Sequence, residues 1–316
     1  MTFPPPFPYF GGKRLAAPIV WGLLGDVGSY VEPFAGSLGV LLNRPPVDGA
    51  RSEIVNDKDG LLINAWRAMR YAPDVVADHL EGIVSEVNYH AKMAWLQQHR
   101  HEFQPLLEGD PEWCDPKLAA WWLDVMACAL EPFATGRWVR QLGDDGLWRL
   151  VDAGRMDDAG IEHSTPCMGG GGRGVNRTTL GDPHEYMHKI SARLQGVRIL
   201  CRDWARILAS KATLNGTAGN KQVGIFLDPP YSVGTRCYND TDRGAGIDVQ
   251  VREWCKQADP EYRIVLCGYD SDHDELLEYG WHKTLGRRGG AGFDNGKSQR
   301  QEMLWHTPNC LTNTLM

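Results

Sequence analysis

No run of about 18 consecutive apolar residues occurs in the 316-residue chain, so no segment has the length and apolarity to span a bilayer. The opening Met1-Thr2-Phe3-Pro4-Pro5-Pro6 lacks the basic start and apolar core of a secretory signal. The expectation is a chain that stays in the cytoplasm, where it is made, without membrane contact. Eight cysteines are present, at 114, 128, 167, 201, 237, 255, 267 and 310, but no C-x-x-C pair. That removes a zinc ribbon and a redox dithiol, and the thiols read as reduced packing residues. Net positive charge is missing too: the balance is −7, which argues against a protein that coats nucleic acid with its whole surface. No internal repeat of fixed period is found.

What is there is the make-up of an ordinary folded protein, 42% hydrophobic and 23% charged. At about 150 residues per domain the length suggests two units. Ser29-Tyr30-Val31-Glu32-Pro33 reads as a short strand entering the turn Phe34-Ala35-Gly36-Ser37-Leu38-Gly39. Glu53 to Asn56 reads as a second strand closed by Asp57, followed by a helical repeat of Leu61, Leu62, Ala65, Trp66 and Met69. Strand signals return at Val197–Cys201, Val223–Leu227, Tyr262–Cys267 and Glu302–Trp305, the second of these apolar throughout as in a strand buried on both faces. Residues 71–190 break this rhythm with helix formers and then glycine-rich loops. The expected architecture is one α/β sheet domain from residues 1–70 and 191–316, with a mainly helical unit of residues 71–190 inserted. The tryptophans of that unit, Trp95, Trp113, Trp121, Trp122, Trp138 and Trp148, read as core before they read as base-stacking platforms.

Ligands of an open parallel sheet bind at the carboxyl ends of its strands. Four such ends carry an acid beside small or aromatic residues: Glu32, Asp57, Asp203-Trp204 and Asp228-Pro229-Pro230-Tyr231. That set suits a polar cofactor with a ribose and an adenine. In the tetrapeptide, two prolines fix φ and remove two N–H donors, so a stiff loop presents carbonyls without competing donors. The Asp228 carboxylate and the Pro229 carbonyl then have the means to accept both hydrogens of one amino group, and Tyr231 offers a ring on which a base stacks. Two acceptors favour the tetrahedral amine, whose freed lone pair attacks a methyl sulfonium. A rigid turn after a strand explains the same four residues.

Several motifs, in order, resemble those of the Dam-like adenine-N6 DNA methyltransferases, the family of the DNA adenine methylase. Tyr9-Phe10-Gly11-Gly12-Lys13 is similar to the N-terminal cofactor motif, and Glu32-Pro33-Phe34-Ala35-Gly36-Ser37 to the glycine turn. Val55-Asn56-Asp57 resembles the ribose-contacting strand end, Cys201-Arg202-Asp203-Trp204 the adenine-contacting site, and Asp228-Pro229-Pro230-Tyr231 the catalytic motif. The match spans residues 9–70 and 197–305 and departs at Leu38, where many relatives carry a small residue. The resemblance implies a Rossmann-like methyltransferase sheet with an inserted, mainly helical target-recognition unit. It implies S-adenosylmethionine as cofactor, DNA as partner, and a bacterial or bacteriophage origin, as in restriction-modification systems. Under it, Gly11, Gly12 and Lys13 hold the cofactor's methionine part, while Glu32, Pro33, Phe34, Gly36 and Ser37 line the cleft with Tyr9 and Phe10. Asn56 and Asp57 serve the ribose, Asp203 and Trp204 the adenine, and Asp228, Pro229, Pro230 and Tyr231 the flipped target base. The implied reaction is methylation of adenine N6. The alternatives are cytosine N4 methylation and a catalytically idle DNA-binding module of the same fold.

A base amine paired inside a duplex is out of reach, so the nucleotide has to leave the helix, at a cost of a few kcal/mol. Phosphate contacts offset part of that cost. From Gly169 to Lys211 eight Lys/Arg face three Asp/Glu, and Arg173, Arg177, Lys189 and Arg193 are candidates for that track, with Arg137 and Arg140 upstream. A second basic group is Arg287, Arg288, Lys297 and Arg300. A solvated helix face accounts for the first group equally well, and simple flexibility for the glycines around both.

Two further patterns fail on inspection. His184-Glu185-Tyr186-Met187-His188 fits H-E-x-x-H, but no third ligand follows at zinc-protease spacing, and Ser191 stands where the extended form needs glycine. Gly11-Gly12-Lys13 lacks the spacing of a phosphate-binding loop, and Arg14 replaces Ser/Thr. No metal is expected.

Overall fold

Residues along the strands alternate between two hydrophobic cores, as a sheet covered on both faces requires. The computed structural model describes residues 4–7, 9, 11–46, 51–81, 86–128, 138–142, 148–152, 182–210, 214, 221–230, 246–287 and 301–311. In it Tyr30, Val55, Phe226, Val265, Cys267 and Leu304 belong to one core. Their neighbours Val31, Ile54, Ile225, Leu227, Ile264, Leu266 and Trp305 belong to the other.

The strands are β1 (Ser29–Glu32), β2 (Ser52–Asp57), β3 (Trp138–Leu142), β4 (Trp148–Asp152), β5 (Val197–Cys201), β6 (Val223–Leu227), β7 (Arg263–Tyr269), β8 (His282–Arg287) and β9 (Glu302–His306). Seven form one sheet in the order β5-β2-β1-β6-β7-β9-β8, and β3 and β4 make a separate antiparallel hairpin. The first five strands of that order are parallel, while β9 runs antiparallel to both β7 and β8. This mixed, mostly parallel sheet is compatible with a Rossmann-like fold. The chain moves outward from β1 to β2 and β5, then returns to β6 on the other side of β1. That reversal leaves a crevice at the carboxyl ends of β1 and β6.

Helices α1 (Ala17–Leu24), α2 (Gly60–Tyr71), α3 (Pro73–His79), α4 (Glu86–Gly109), α5 (Pro116–Cys128) and α6 (Pro183–Leu194) cover the first face. The second carries α7 (Trp204–Leu208), α8 (Ile247–Lys256) and a 3-10 turn over Asp274–Tyr279. Local chemistry starts these helices where the sequence changes character. Asp59 accepts from the N–H groups of Leu61 and Leu62 at the head of α2, and Asp182 caps α6, whose first residue is Pro183.

Helices α3, α4 and α5 fall within residues 71–190, yet Val76, Met93, Leu96, Phe103, Trp122 and Leu123 are buried in the same core as α2 and the sheet. Trp66 and Trp122 both stand against Phe7, at ring-centre distances of 5.4 and 4.7 Å. The glycine-rich part of the expected inserted unit, 153–181, lies outside the described residues. Arg67 ties the layers together. Fully buried, it donates from Nε to Ile199 O of β5 and from Nη1 to Leu107 O and Asp110 O at the end of α4. Among the described residues, Cys114, Cys201, Cys255, Cys267 and Cys310 are free thiols, and no helix is long and apolar enough to cross a membrane.

Candidate functional site

The turn after β1 is held by the elements around it. Gly36 has a φ of 45°, a left-handed value that glycine adopts without cost, and an added Cβ would stand 2.9 Å from the ring of Tyr9. Its N–H donates to Asp57 Oδ2 at 3.1 Å, and its carbonyl accepts from Trp66 Nε1 at 2.9 Å. Leu38 also has positive φ, 52°, with its side chain fully buried and its N–H bonded to Ala35 O at 2.8 Å. Leucine resists this conformation, which glycine takes freely. Gly39 was not singled out from the sequence. A Cβ there would lie 2.7 Å from Arg14 N and 3.1 Å from Lys13 C, so only glycine lets the N-terminal segment lie against the turn.

That N-terminal segment is fixed by Phe7, which is buried beside Trp66 and Trp122. Gly12 N–H bonds to Tyr9 O at 3.1 Å, and Gly11 has a φ of 71°. The segment delivers Lys13, only 6% exposed, to the sheet's carboxyl edge. There Nζ donates to Gly11 O at 2.7 Å and lies 2.9 Å from Asp228 Oδ2. Glu302 Oε1 is 3.4 Å away on a third side. That contact is an attraction between charges without hydrogen-bond geometry, because Glu302 Oε1 is buried with no donor. No local motif marks Glu302. It reaches the site because β9 is antiparallel: its first residue pairs with Tyr269 at the carboxyl end of β7.

Glu32 completes the acidic floor. It is buried, accepts a hydrogen bond from Tyr30 Oη at 2.9 Å, and stands near Asp228. Burial pushes its carboxyl up to about 8, with Asp228 pushing the same way, against the Tyr30 and Leu41 hydrogen bonds and Arg193. Burial first, then the Glu32 charge, holds the Tyr30 hydroxyl well above its ordinary range.

On the β2–β5 side, buried Asn56 clamps two loops. Its Nδ2 donates to Pro33 O and to Arg202 O, and its Oδ1 accepts from Arg202 N. Its amide thus serves the protein's own backbone. Asp57 accepts from Gly36 N and, through Oδ1, from Asp59 N, which fixes its carboxylate at the end of β2 against the glycine turn. Asp203 is exposed and caps α7 by accepting from Ala205 N. Phe34 and Trp204 face one another at 6.1 Å, with 34° between ring planes. Ser37 and Pro229 are buried, and Pro33 is buried behind the turn.

The structure therefore brings Tyr9, Gly11, Gly12, Lys13, Glu32, Phe34, Gly36 and Asp228 to the sheet's reversal point, with Asp57 held on the Gly36 turn. Phe10, Tyr231, Arg137, Arg173 and Arg177 lie outside the described residues, and Arg140 is described only as a backbone position in β3 opposite Leu150. Lys189 is exposed on α6 and pairs with Glu185 at 2.6 Å. Arg193, also expected on a phosphate track, is committed elsewhere: it grips Glu53 with two nitrogens, at 2.8 and 3.0 Å, and donates to Leu41 O. His184 and His188 turn toward α3, where His188 Nε2 lies 2.8 Å from Asp74 Oδ1 and His184 lies 3.3 Å from both Asp74 and Asp78. Among the described residues no group of three or more His, Cys, Asp or Glu is placed to hold a metal ion. The chain matches no protein-family model and no curated protein.

Proposed function

We propose that the protein is an S-adenosylmethionine-dependent DNA methyltransferase acting on the exocyclic N6 amine of a flipped-out adenine. The observation that carries the reading is the 2.9 Å contact of Lys13 with Asp228. It brings the N-terminal glycine motif and the Asp-Pro-Pro corner together at the reversal point of the sheet, next to the glycine turn after β1. The motif resemblance requires that meeting, although the segments lie far apart in sequence.

The residues present fit the cofactor. Asp57 sets a carboxylate at a strand end on the glycine turn, the group type that accepts from ribose hydroxyls, and Phe34 pairs with Trp204 beside exposed Asp203. S-adenosylmethionine would supply an electrophilic methyl on a positively charged sulfur. The chain's own part is to hold and desolvate the amine. Asp228 and the Pro229 carbonyl accept its two hydrogens, which localises the nitrogen lone pair for in-line attack. As the N–C bond forms, the S–C bonding electrons return to sulfur, and the nitrogen's surplus proton leaves to water.

The test is direct. Methyl-labelled S-adenosylmethionine, DNA and the protein are incubated, and the DNA is digested to nucleosides. Label in N6-methyladenosine is the expected result; label in N4-methylcytosine would move the assignment to that base. Asp228→Ala should abolish transfer while leaving cofactor binding by calorimetry nearly intact. Full activity in Asp228→Ala would overturn the mechanism.

A further inference from the structure

We propose that Lys13 is a positioning residue for Asp228, holding its carboxylate as a fixed, ionised acceptor, with Glu302 as the second counter-ion. This rests on the methyltransferase reading. The resemblance assigns Lys13 to the cofactor's methionine end, whereas the geometry points its ammonium at the Asp-Pro-Pro corner.

An ammonium has three donors. One is used on Gly11 O, one points at Asp228 Oδ2, and the third side faces Glu302. A cofactor carboxylate would compete with these oxygens for the ammonium. The lysine backbone is also held, because Gly39 leaves room for Lys13 and Arg14 to lie directly on the turn. The cation is thus aimed by its own main chain.

A cation 2.9 Å from a carboxylate favours the ionised form. Among the described residues, two groups coupled to Asp228 do little to offset this at neutral pH. Glu32 on β1 is held protonated by burial, and Cys267 on β7 is kept a neutral thiol by the same cause. Glu302 on β9 remains, and it lies near Lys13 as well. Asp228 therefore accepts a hydrogen bond from the amine without keeping the proton. During transfer the N–C bond forms, the S–C bond breaks toward sulfur, and the nitrogen's proton passes to water. Asp228 ends the step in the charge state in which it began.

Lys13→Met and Lys13→Arg separate the possibilities. With cofactor and DNA saturating, Lys13→Met should lower kcat by about 10²-fold and leave the cofactor Kd within a factor of about three. Its acid limb in the pH profile of kcat should move to higher pH, and Lys13→Arg should recover part of the rate and restore the limb. A readout free of activity accompanies these. The carboxyl 13C resonance of Asp228, assigned by its loss in Asp228→Asn, should titrate about 1 unit or more higher in Lys13→Met. An unmoved titration, or a weakened cofactor Kd with saturated kcat intact, would overturn the proposal. If the titration moves but the native protein transfers no methyl to DNA, the pairing stands and the functional reading falls.

Discussion

Gly39 shows how one missing carbon shapes the site. Its neighbours are backbone atoms of Lys13 and Arg14, so an added methyl is relieved only by moving the N-terminal segment. Gly39→Ala is expected to displace the Lys13 ammonium from Asp228. Because small misplacements near a reacting centre cost up to about 10²-fold, methyl transfer should fall by about that factor. Steady-state kinetics beside a far-ultraviolet spectrum checks this; an unaltered rate would mean that the segment yields without consequence. Leu38, one position earlier, stands out in the sequence as a large residue in a glycine turn, and its positive φ gives the physical meaning. Gly39 was overlooked because its requirement is set by a segment some twenty-five residues upstream, which no local pattern encodes. The same holds for Trp66: the spacing in α2 marks it as core, but its bond to Gly36 O depends on how α2 docks.

Among the elements, α2 does the most to fix the site, since Trp66 holds the glycine turn and Arg67 fastens the helix to β5 and to the end of α4. Replacing Arg67 with Met leaves the carbonyls of buried Ile199 and Leu107 without the donor Arg67 gives them, at about 1–3 kcal/mol for each group so stranded. A loss of about 3 kcal/mol or more is expected in urea denaturation, and a change under 1 kcal/mol would show that water or a repacked loop replaces the guanidinium. Most elements were legible. Strands β5 and β6 have the bounds their apolar pattern predicts. The hairpin of β3 and β4, strand β8 and helix α8 were not. β8 has a single apolar residue, Leu285, beside Gly286, and the β3–β4 strands lie in a glycine-rich stretch that reads as loop. The direction of β9 was equally hidden, since an isolated strand sequence carries no sign of its orientation, and with it went Glu302.

At the scale of the molecule, burying an acid at the meeting point of the sheet's halves ties stability to pH. The folded-state carboxyl of Glu32 lies at about 8, above its unfolded value near 4.5. The folded chain holds that proton more tightly, so the group's contribution is fully present below pH 4.5 and is lost as pH rises to 8. Glu32→Gln cannot ionise and should escape this loss. Thermal melts of the two proteins at pH 5, 6.5 and 8 should show the variant gaining on the native chain as pH rises; parallel curves would mean that Glu32 is solvated or paired more strongly than the structure shows. The positions of the four acidic strand ends were readable from the sequence, but which of them sit close together was not. Glu32 and Asp228 meet because their strands are adjacent, whereas Asp203 stays at the far edge, exposed and capping a helix.

The ion pair of Lys13 with Asp228 and Glu302 also has a consequence in time. In a chain made from its N-terminus, the lysine emerges long before the aspartate, and the aspartate before the glutamate of β9. Until that strand slots in beside β7, the corner where Lys13 meets Asp228 lacks one of its charges.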